Sequence, residues 1–314
     1  MPRTIPGLHH VTAICGPPQA NVDFYTDLLK QRLVKRTVNF DAPDTYHLYY
    51  GDRVGSPGTI LTFFPFADAG PGRAGAGMAR AVAYAVPEGG LDAWMARFAE
   101  RAVDFGSPVT RFGERMFALR DPDGLQIELI ETGRAASADA VPAVDGFHSV
   151  TLWLRDPEPT ARLLAELFGY EHAGEEADTS GRRQRLAAPG GGRGSVIDLL
   201  RSDAPSIGRQ GAGTIHHVAF RAESDEVQRE WRERVAAAGL GVTPVIDRQY
   251  FNSIYFREPG GILFEIATDP PGFATDEVLE ALGTALKLPP WLEPQRAAIE
   301  RRLPPLRLGE ARAG

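Results

Sequence analysis

Two histidine doublets carry most of the chemistry that this sequence could perform. Residues 5–13 read IPGLHHVTA and residues 213–220 read GTIHHVAF, so four of the seven histidines lie in two matching runs. Both runs are short and apolar, as strands are when they lie in a core. The match suggests that the two strands contribute to one task.

The alternation of side chains along a strand predicts which histidine of each doublet faces a site. In the first doublet, His10 shares a face with Thr12. In the second, Val218 and Phe220 are the bulky pair that we expect to pack beneath helices. His217 then lies on the opposite, more open face.

A third candidate is a carboxylate in the last apolar strand. In GILFEIA (261–267), Phe264 and Ile266 share one face and Glu265 takes the other. A carboxylate in such a strand is costly to bury unless it is paired or binds a metal ion. Glu265 is therefore a candidate metal ligand.

The elements that position these residues form an internal repeat. A first strand recurs as GLHHVT, ARAVAY, GFHSVT and IHHVAF, and a helix-like run and several strand-like runs follow each copy. The pattern predicts an α+β fold of four βαβββ modules. Their predicted bounds, with a linker and a C-terminal helical extension, are 5–66, 79–132, 133–145 (linker), 146–201, 213–268 and 270–314 (extension).

The repeat also predicts which modules share a pocket. Alignment gives one first-strand and one last-strand residue per module, in the order His10 and Phe63, Ala81 and Glu128, Ser149 and Leu199, His217 and Glu265. Pairing modules 1 and 4 unites His10, His217 and Glu265, with an apolar residue in the fourth place. Modules 2 and 3 would offer Glu128 alone, so we expect that barrel to be metal-free.

Two histidines and one carboxylate on one face form the ligand set that leaves positions open on a non-haem Fe(II) ion, with Mn(II) as an alternative. Zinc hydrolases also use two histidines and a glutamate, but the sequence has no HExxH run.

Other polar residues have structural interpretations. We interpret His47 and Tyr46, in TYHLYYGD, as strand packing, and His148 and Glu128 as structural remnants of the repeat. We interpret DAGPGRAGAGMAR (68–80) as a flexible connector.

The composition excludes several function classes. The net charge of −7 is spread without long runs, which argues against nucleic acid as a partner. No run reaches the roughly 18 apolar residues of a membrane span. Cys15 is the only cysteine, which excludes an internal disulfide and favours a cytoplasmic protein. Homo-oligomerisation is compatible with the sequence, but no pattern predicts it.

Taken together, several runs resemble the vicinal oxygen chelate superfamily, and within it the hydroquinone ring-cleaving dioxygenases of the chlorohydroquinone type. The resemblance covers nearly the whole chain from about residue 5. The runs that carry it are GLHHVTAICG, HLYYGD, GSPGTILTFFPF, IHHVAF, GGILFEIATDPPGF and the C-terminal LPPWLEPQRAAIERRLPPL.

The resemblance implies an Fe(II)-dependent, extradiol-type enzyme that inserts O₂ into the ring of a small hydroquinone-like aromatic. The family's metal ligands fall on His10, His217 and Glu265. Catalytic roles beside the metal or the substrate are implied for His9, Thr12, His216, Arg248 and Tyr255. Arg248 and Tyr255 lie in DRQYFNSIYF (247–256), just ahead of the ligand strand.

Two other functions remain open on the sequence alone. One is a redox-neutral metal enzyme of the same fold, such as a lyase, an isomerase or a thiol transferase. Those chemistries often use a fourth protein ligand, against which Phe63 argues. The other is a protein that binds small aromatics without turnover, which would need no open metal site.

Overall fold

The chain folds around two eight-stranded sheets. A computed structural model describes residues 3–66, 68–133, 144–202 and 206–308. The predicted linker at 133–145 falls mainly on residues 134–143, which lie outside that description. Strands of modules 1 and 4 build the first sheet, and strands of modules 2 and 3 build the second. The predicted fold class and the pairing of the modules are thus confirmed.

Strands outnumber helices in the described chain. The strands of its first half are β1 (Leu8–Cys15), β2 (Arg32–Asn39), β3 (Ala42–Gly51), β4 (Ile60–Pro65), β5 (Met78–Pro87), β6 (Val109–Arg111), β7 (Glu114–Arg120) and β8 (Gln126–Thr132). Those of its second half are β9 (Phe147–Leu154), β10 (Glu171–Asp178), β11 (Gly181–Ala187), β12 (Val196–Arg201), β13 (Thr214–Ala222), β14 (Ile246–Asp247), β15 (Phe251–Arg257) and β16 (Leu263–Pro271). The α-helices are α1 (Pro18–Val22), α2 (Gly90–Glu100), α3 (Glu158–Arg162), α4 (Asp225–Ala237) and α5 (Arg296–Arg302). Two π-helical turns, Asp23–Leu28 and Leu163–Leu167, continue α1 and α3. Three 3₁₀ turns, Phe273–Thr275, Leu279–Ala281 and Glu293–Gln295, lie in the C-terminal segment. Among the described residues, no helix combines the length and apolarity that crossing a membrane requires.

The first strands of the modules lie at the centre of each sheet. The first sheet has the order β14-β15-β16-β13-β1-β4-β3-β2, and the second has the order β10-β11-β12-β9-β5-β8-β7-β6. The central pairs, β13 with β1 and β9 with β5, are antiparallel, and each central strand also runs parallel to the last strand of its own module. Each sheet therefore has two matching halves.

Helices cover the convex face of the sheets and leave the concave face for the site. In α4, the Ser224 side chain caps the helix by accepting a hydrogen bond from the Val227 N–H. Trp231 of this helix is buried in the same core as Val218 and Phe220 of β13. The expectation for these two strand residues is confirmed. Each such side chain stabilises the fold by about 1.5–3 kcal/mol when fully buried.

The Gly-rich segment at 68–80 is not a flexible connector, so that expectation is wrong. It pairs with the segment that leads into β13, and Arg73 and Arg209 exchange backbone hydrogen bonds of 2.8 Å. A Cβ on Gly75 would lie 2.2 Å from the backbone nitrogen of Gly208. The glycines therefore allow two crossing backbones to approach, which composition alone does not reveal.

The C-terminal segment covers the edge strand β2. Leu286 forms a β-bridge with Arg36 of that strand. Lys35, which is fully buried, forms ion pairs with Asp276 at 2.5 Å and with Glu277. Covering an exposed edge protects it from pairing with another chain.

Candidate metal centre

Three side chains of the first sheet meet on its concave face. His10 of β1, His217 of β13 and Glu265 of β16 come from adjacent strands and are all buried. Oε2 of Glu265 lies 2.9 Å from Nε2 of His217 and 3.3 Å from Nε2 of His10, and the two Nε2 atoms are 3.3 Å apart. Among the described residues, these three form the only group of at least three potential ligands that converge in this way.

The charges of this cluster fit a cation at its centre. Burial alone would raise the pKa of Glu265, but the neighbouring imidazoles of His10 and His217 lower that pKa well below its usual range. The carboxylate is therefore ionised. Oε2 of Glu265 has no well-oriented hydrogen-bond donor in the described chain, whereas Oε1 accepts a hydrogen bond from the hydroxyl of Ser253. A divalent ion would satisfy the buried Oε2.

The first histidine of each doublet contacts the ring of the second, which is the candidate ligand. His9 hydrogen-bonds the backbone carbonyl of Thr268 through one ring nitrogen, so its Nδ1 is free to accept. That atom lies 2.9 Å from Nδ1 of His10, so a proton on Nδ1 of His10 would be donated to His9, and the Nε2 lone pair of His10 would then face the cluster. His216 makes the matching contact with His217 at 2.8 Å. This is the arrangement that metal-ligating histidines adopt.

Both supporting histidines are neutral at physiological pH. Burial lowers the pKa of His9 to about 3 and that of His216 to about 4. A neutral imidazole can accept a hydrogen bond at one nitrogen, whereas a charged one cannot. In each doublet, the candidate ligand histidine therefore has a neutral imidazole beside it that can accept a hydrogen bond from it.

Thr62, and not Phe63, occupies the fourth place. In module 4, Ala219 lies opposite Glu265, two residues beyond the ligand histidine; in module 1, Thr12 lies opposite Thr62 at the same offset from His10. The sequence alignment was one residue out of step here. Phe63 points into the core, where it is fully buried.

Arg248 and Tyr255 come together beside this cluster. The Arg248 guanidinium donates to the Tyr255 hydroxyl at 3.3 Å and forms an ion pair with Asp41 at 3.0 Å. The Tyr255 ring meets the His217 ring edge-on, with centroids 5.8 Å apart. Burial raises the pKa of Tyr255, so this phenol remains protonated and can donate.

Sequence reasoning missed His47, which does not merely pack in its strand. Its Nε2 lies 2.8 Å from the Thr62 hydroxyl, and its Nδ1 lies 2.8 Å from the Tyr49 hydroxyl. The Thr62 hydroxyl is in turn 2.9 Å from that of Thr12. A signal did exist, because Leu48 and Tyr50 are the core-facing residues of β3 and the alternation puts His47 on the other face.

Two aromatic rings form an apolar wall around the cluster, and the sequence did not identify either. The Phe251 ring lies 5.0 Å from that of His10 and 5.2 Å from that of His9. The Phe64 ring lies 5.8 Å from that of His216. Such a wall suits an aromatic ligand and keeps water away from it.

The second sheet has two carboxylates at the corresponding places, and arginines neutralise both. Glu128 lies opposite Ala83 and pairs with Arg111 at 2.7 Å. Asp198, where the alignment had put Leu199, holds Arg185 through two hydrogen bonds of 2.8 and 3.1 Å. The expectation that Glu128 stands alone there is therefore wrong.

His148, interpreted as a structural remnant, also belongs to the second sheet. Its Nδ1 contacts the Ser149 hydroxyl at 3.0 Å, and its Nε2 contacts Glu114 at 3.0 Å. Glu114 also forms an ion pair with Arg185 at 2.5 Å. His148 thus contacts polar side chains of the second sheet.

Comparison with known proteins is consistent with this geometry. The family model described as "Glyoxalase/Bleomycin resistance protein/Dioxygenase superfamily" matches residues 7–129 and 146–266. The chain is 47% identical over 317 residues to the Bacillus subtilis (strain 168) protein named "Putative ring-cleaving dioxygenase MhqO", and the match covers 99% of each chain. It is 38% identical to the "Chlorohydroquinone/hydroquinone 1,2-dioxygenase" of Sphingobium indicum, covering 93% of this chain and 94% of that protein.

Solved structures show the same fold. The crystal structure of a "putative dioxygenase" from Bacillus subtilis has 45% sequence identity and a TM-score of 0.91, covering 98% of this chain and 100% of that one. Glyoxalase I from Zea mays, at 13% identity, has a TM-score of 0.63 and covers 84% of this chain and 92% of its own. The latter likeness concerns the fold alone.

Proposed function

The chain belongs to the glyoxalase/bleomycin resistance protein/dioxygenase superfamily, and from that premise we propose that it is an Fe(II)-dependent dioxygenase that cleaves the ring of a hydroquinone-like aromatic. The observation that carries this proposal is a buried cluster of two imidazoles and one carboxylate with no strong ligand in its fourth place. The relatives named as ring-cleaving and hydroquinone dioxygenases support the choice of reaction.

The ligand set suits Fe(II), with Mn(II) as the alternative occupant. His10, His217 and Glu265 would hold the ion. When bound, Fe(II) supplies a redox-active centre with open positions at which an aromatic and O₂ can meet.

The other residues of the cluster bind, orient and exclude water. His9 and His216 keep the Nε2 lone pairs of the ligand histidines directed inward. The Phe251 ring offers a face against which a substrate ring can pack. These contacts would select a flat apolar molecule with polar groups at its edge.

Arg248 and Tyr255 are placed to act on oxygen atoms of that molecule. The protonated phenol of Tyr255 can donate a hydrogen bond to a substrate oxygen beside His10, His217 and Glu265. The guanidinium of Arg248 holds that phenol and adds positive charge. A charge that develops on the substrate during oxidation would be stabilised there.

The decisive test is O₂ consumption by anaerobically Fe(II)-loaded protein, supplied with hydroquinone, methylhydroquinone or chlorohydroquinone. Glu265→Gln should abolish uptake and weaken metal binding more than about 100-fold, because it removes the charged ligand. Glu128→Gln is the matched control, since Glu128 is the buried carboxylate at the same position of the second sheet, and it should keep both properties.

Two results would contradict the proposal. Uptake that persists in the Glu265→Gln variant would remove the cluster from the reaction. No uptake by wild-type protein with stoichiometric Fe(II) would favour a redox-neutral enzyme of the same fold.

A further inference from the structure

A chain of four polar side chains runs across the concave face of the first sheet. Tyr49, His47, Thr62 and Thr12 are linked in that order by contacts of 2.8, 2.8 and 2.9 Å. Tyr49, Thr62 and Thr12 have at most 1% of their surface exposed, and His47 is partly exposed. We call this set the Tyr49 chain.

The hydrogen bonds of this chain have a defined direction. Burial raises the pKa of Tyr49 well above its usual range, so its phenol keeps its proton. Within the described part of the protein, that hydroxyl contacts one acceptor, Nδ1 of His47. Burial lowers the pKa of His47 well below its usual range, so its imidazole is neutral. Tyr49 therefore donates to Nδ1, and the single proton of this imidazole lies on Nε2, where it is donated to Thr62. Donation therefore runs from Tyr49 through His47 to the threonine pair.

A donor is left over at the end of the chain. Thr62 and Thr12 have two hydroxyl protons between them, and the bond that joins them uses one. The oxygen of Thr62 already receives the proton of His47. The remaining hydroxyl proton must therefore be donated to a different acceptor.

The threonine pair lies where that acceptor would be a ligand. Thr12 is two residues from His10 on the same face, and the pair holds the place that Ala219 and Glu265 hold in module 4. Module 4 thus contributes the acceptor Glu265 to the metal centre, and module 1 contributes a hydroxyl donor from the threonine pair. A hydrogen-bond donor at that point complements a negatively charged oxygen.

We propose that the Tyr49 chain donates a hydrogen bond to the ionised hydroxyl of the bound aromatic and thereby favours its ionisation, with the released proton passing to bulk water. This inference rests on the proposed function for the identity of the aromatic. Thr62 or Thr12 makes the contact, and His47 and Tyr49 are positioning residues that orient it. The charged and titratable groups that face the chain from other elements are His10, His217, Arg248, Tyr255 and Glu265.

The test measures ionisation of a bound phenol and needs no turnover. The protein is loaded with Zn(II), which is redox-inert and binds the same ligand types. The probe is 4-nitrophenol, which has one hydroxyl group and changes colour when it ionises. A pH titration of the bound probe then gives its apparent pKa in each variant.

Thr62→Val and Tyr49→Phe should each raise the apparent pKa of the bound probe, by about one unit and about half a unit, which is roughly a tenfold and a threefold loss of binding to its ionised form. Thr62→Ser keeps the hydroxyl and should restore the wild-type value. Tyr50→Phe is the matched control, because the neighbouring Tyr50 is equally buried and donates to Asn21 on the opposite face. It should leave the probe unchanged.

Three results would overturn the inference. They are equal probe pKa values in wild type, Thr62→Val and Tyr49→Phe; a Thr62→Ser variant that behaves like Thr62→Val; and a wild-type protein that does not bind the ionised probe. O₂ uptake by the Fe(II) protein is measured separately. A shift without uptake supports the Tyr49 chain and contradicts the dioxygenase, and uptake without a shift does the reverse.

Discussion

Removal of the Ser253 hydroxyl should weaken metal binding while all three ligands remain. Ser253 lies on β15 and is fully buried, and its hydroxyl donates to Oε1 of Glu265. That bond holds the carboxylate so that Oε2 faces the two imidazoles. In Ser253→Ala, Oε1 loses its hydroxyl donor, and the carboxylate can rotate away from the ligand position.

The size of the effect follows from the partner that is lost. Hydrogen-bond partners of metal ligands contribute about 10-fold to 100-fold to metal affinity, and a buried charged acceptor left unpaired costs about 1–3 kcal/mol. We therefore expect the metal dissociation constant of Ser253→Ala to rise about 30-fold, which corresponds to about 2 kcal/mol.

Two assays measure this. Competition with a chelator gives the affinity for Zn(II) or Mn(II) directly. In unfolding experiments at a metal concentration about 100 times the wild-type Kd, bound metal stabilises wild type by about 2.7 kcal/mol, and a 30-fold weaker site gives only about 0.9 kcal/mol.

Ser149→Ala is the matched control for both assays. Ser149 is a buried serine of the second sheet whose hydroxyl contacts His148 at 3.0 Å. Its loss should leave metal affinity within about twofold of wild type. An unchanged affinity in a folded Ser253→Ala protein, or an equal loss in Ser149→Ala, would refute the reasoning.

Three further predictions concern stability, each measured by denaturant unfolding. Lys35→Met should lower the free energy of unfolding by about 3 kcal/mol, because it leaves two mostly buried carboxylates of the C-terminal segment without their cation. Arg111→Met should cost about as much for the same reason, whereas the double variant Arg111→Met/Glu128→Leu should be less destabilised than Arg111→Met alone; an equal or greater loss would contradict this. Burial raises the pKa of Asp121 from 3.8 to about 6, so its ionisation destabilises the folded state increasingly as pH rises from about 4 through 6. Asp121→Asn should therefore be more stable than wild type by about 3 kcal/mol near pH 8, with no gain below about pH 4; an equal gain at both pH values would show that the charge is not the cause.

The convergence of His10, His217 and Glu265 could be inferred from sequence because two regularities coincide. Strand alternation selects a face, and the repeat makes the two halves of the sheet equivalent, so matching positions must be close in space. Neither step needs the packing of particular side chains. This part of the site is therefore predictable from the sequence.

The fourth place was not predictable, because β4 is apolar on both faces. All six residues of this strand are buried, so its hydrophobicity has no period of two from which to choose between Thr62 and Phe63. The alignment of the repeats fell one position out of step here, and the same error replaced Asp198 by Leu199 in module 3. The strand register alone resolves it, since a shift of one residue reverses every side chain.

His47 was missed for a different reason. Tyr49 lies on its own strand, but Thr62 lies on β4 and Thr12, which contacts Thr62, lies on β1, and these strands are side by side only in the folded sheet. A single histidine in a strand is more often a packed residue than a functional one, and the alternation along β3 shows only that His47 lies on the face opposite Leu48 and Tyr50. Only the pairing of β3 with β4 and of β4 with β1 reveals that His47 belongs to a continuous hydrogen-bonded chain that ends at Thr12, beside the metal centre.

The two sheets show how one scaffold serves two electrostatic purposes. Both place carboxylates on the concave face, at Glu265 in the first sheet and at Glu128 and Asp198 in the second. In the second sheet, Arg111 of β6 and Arg185 of β11 supply the compensating charge. In the first, the neighbours of Glu265 are two imidazoles, whose ring nitrogens can bind the same cation as the carboxylate. The types of residue that surround the carboxylate, more than the fold itself, therefore decide which half of the protein is prepared for a metal ion.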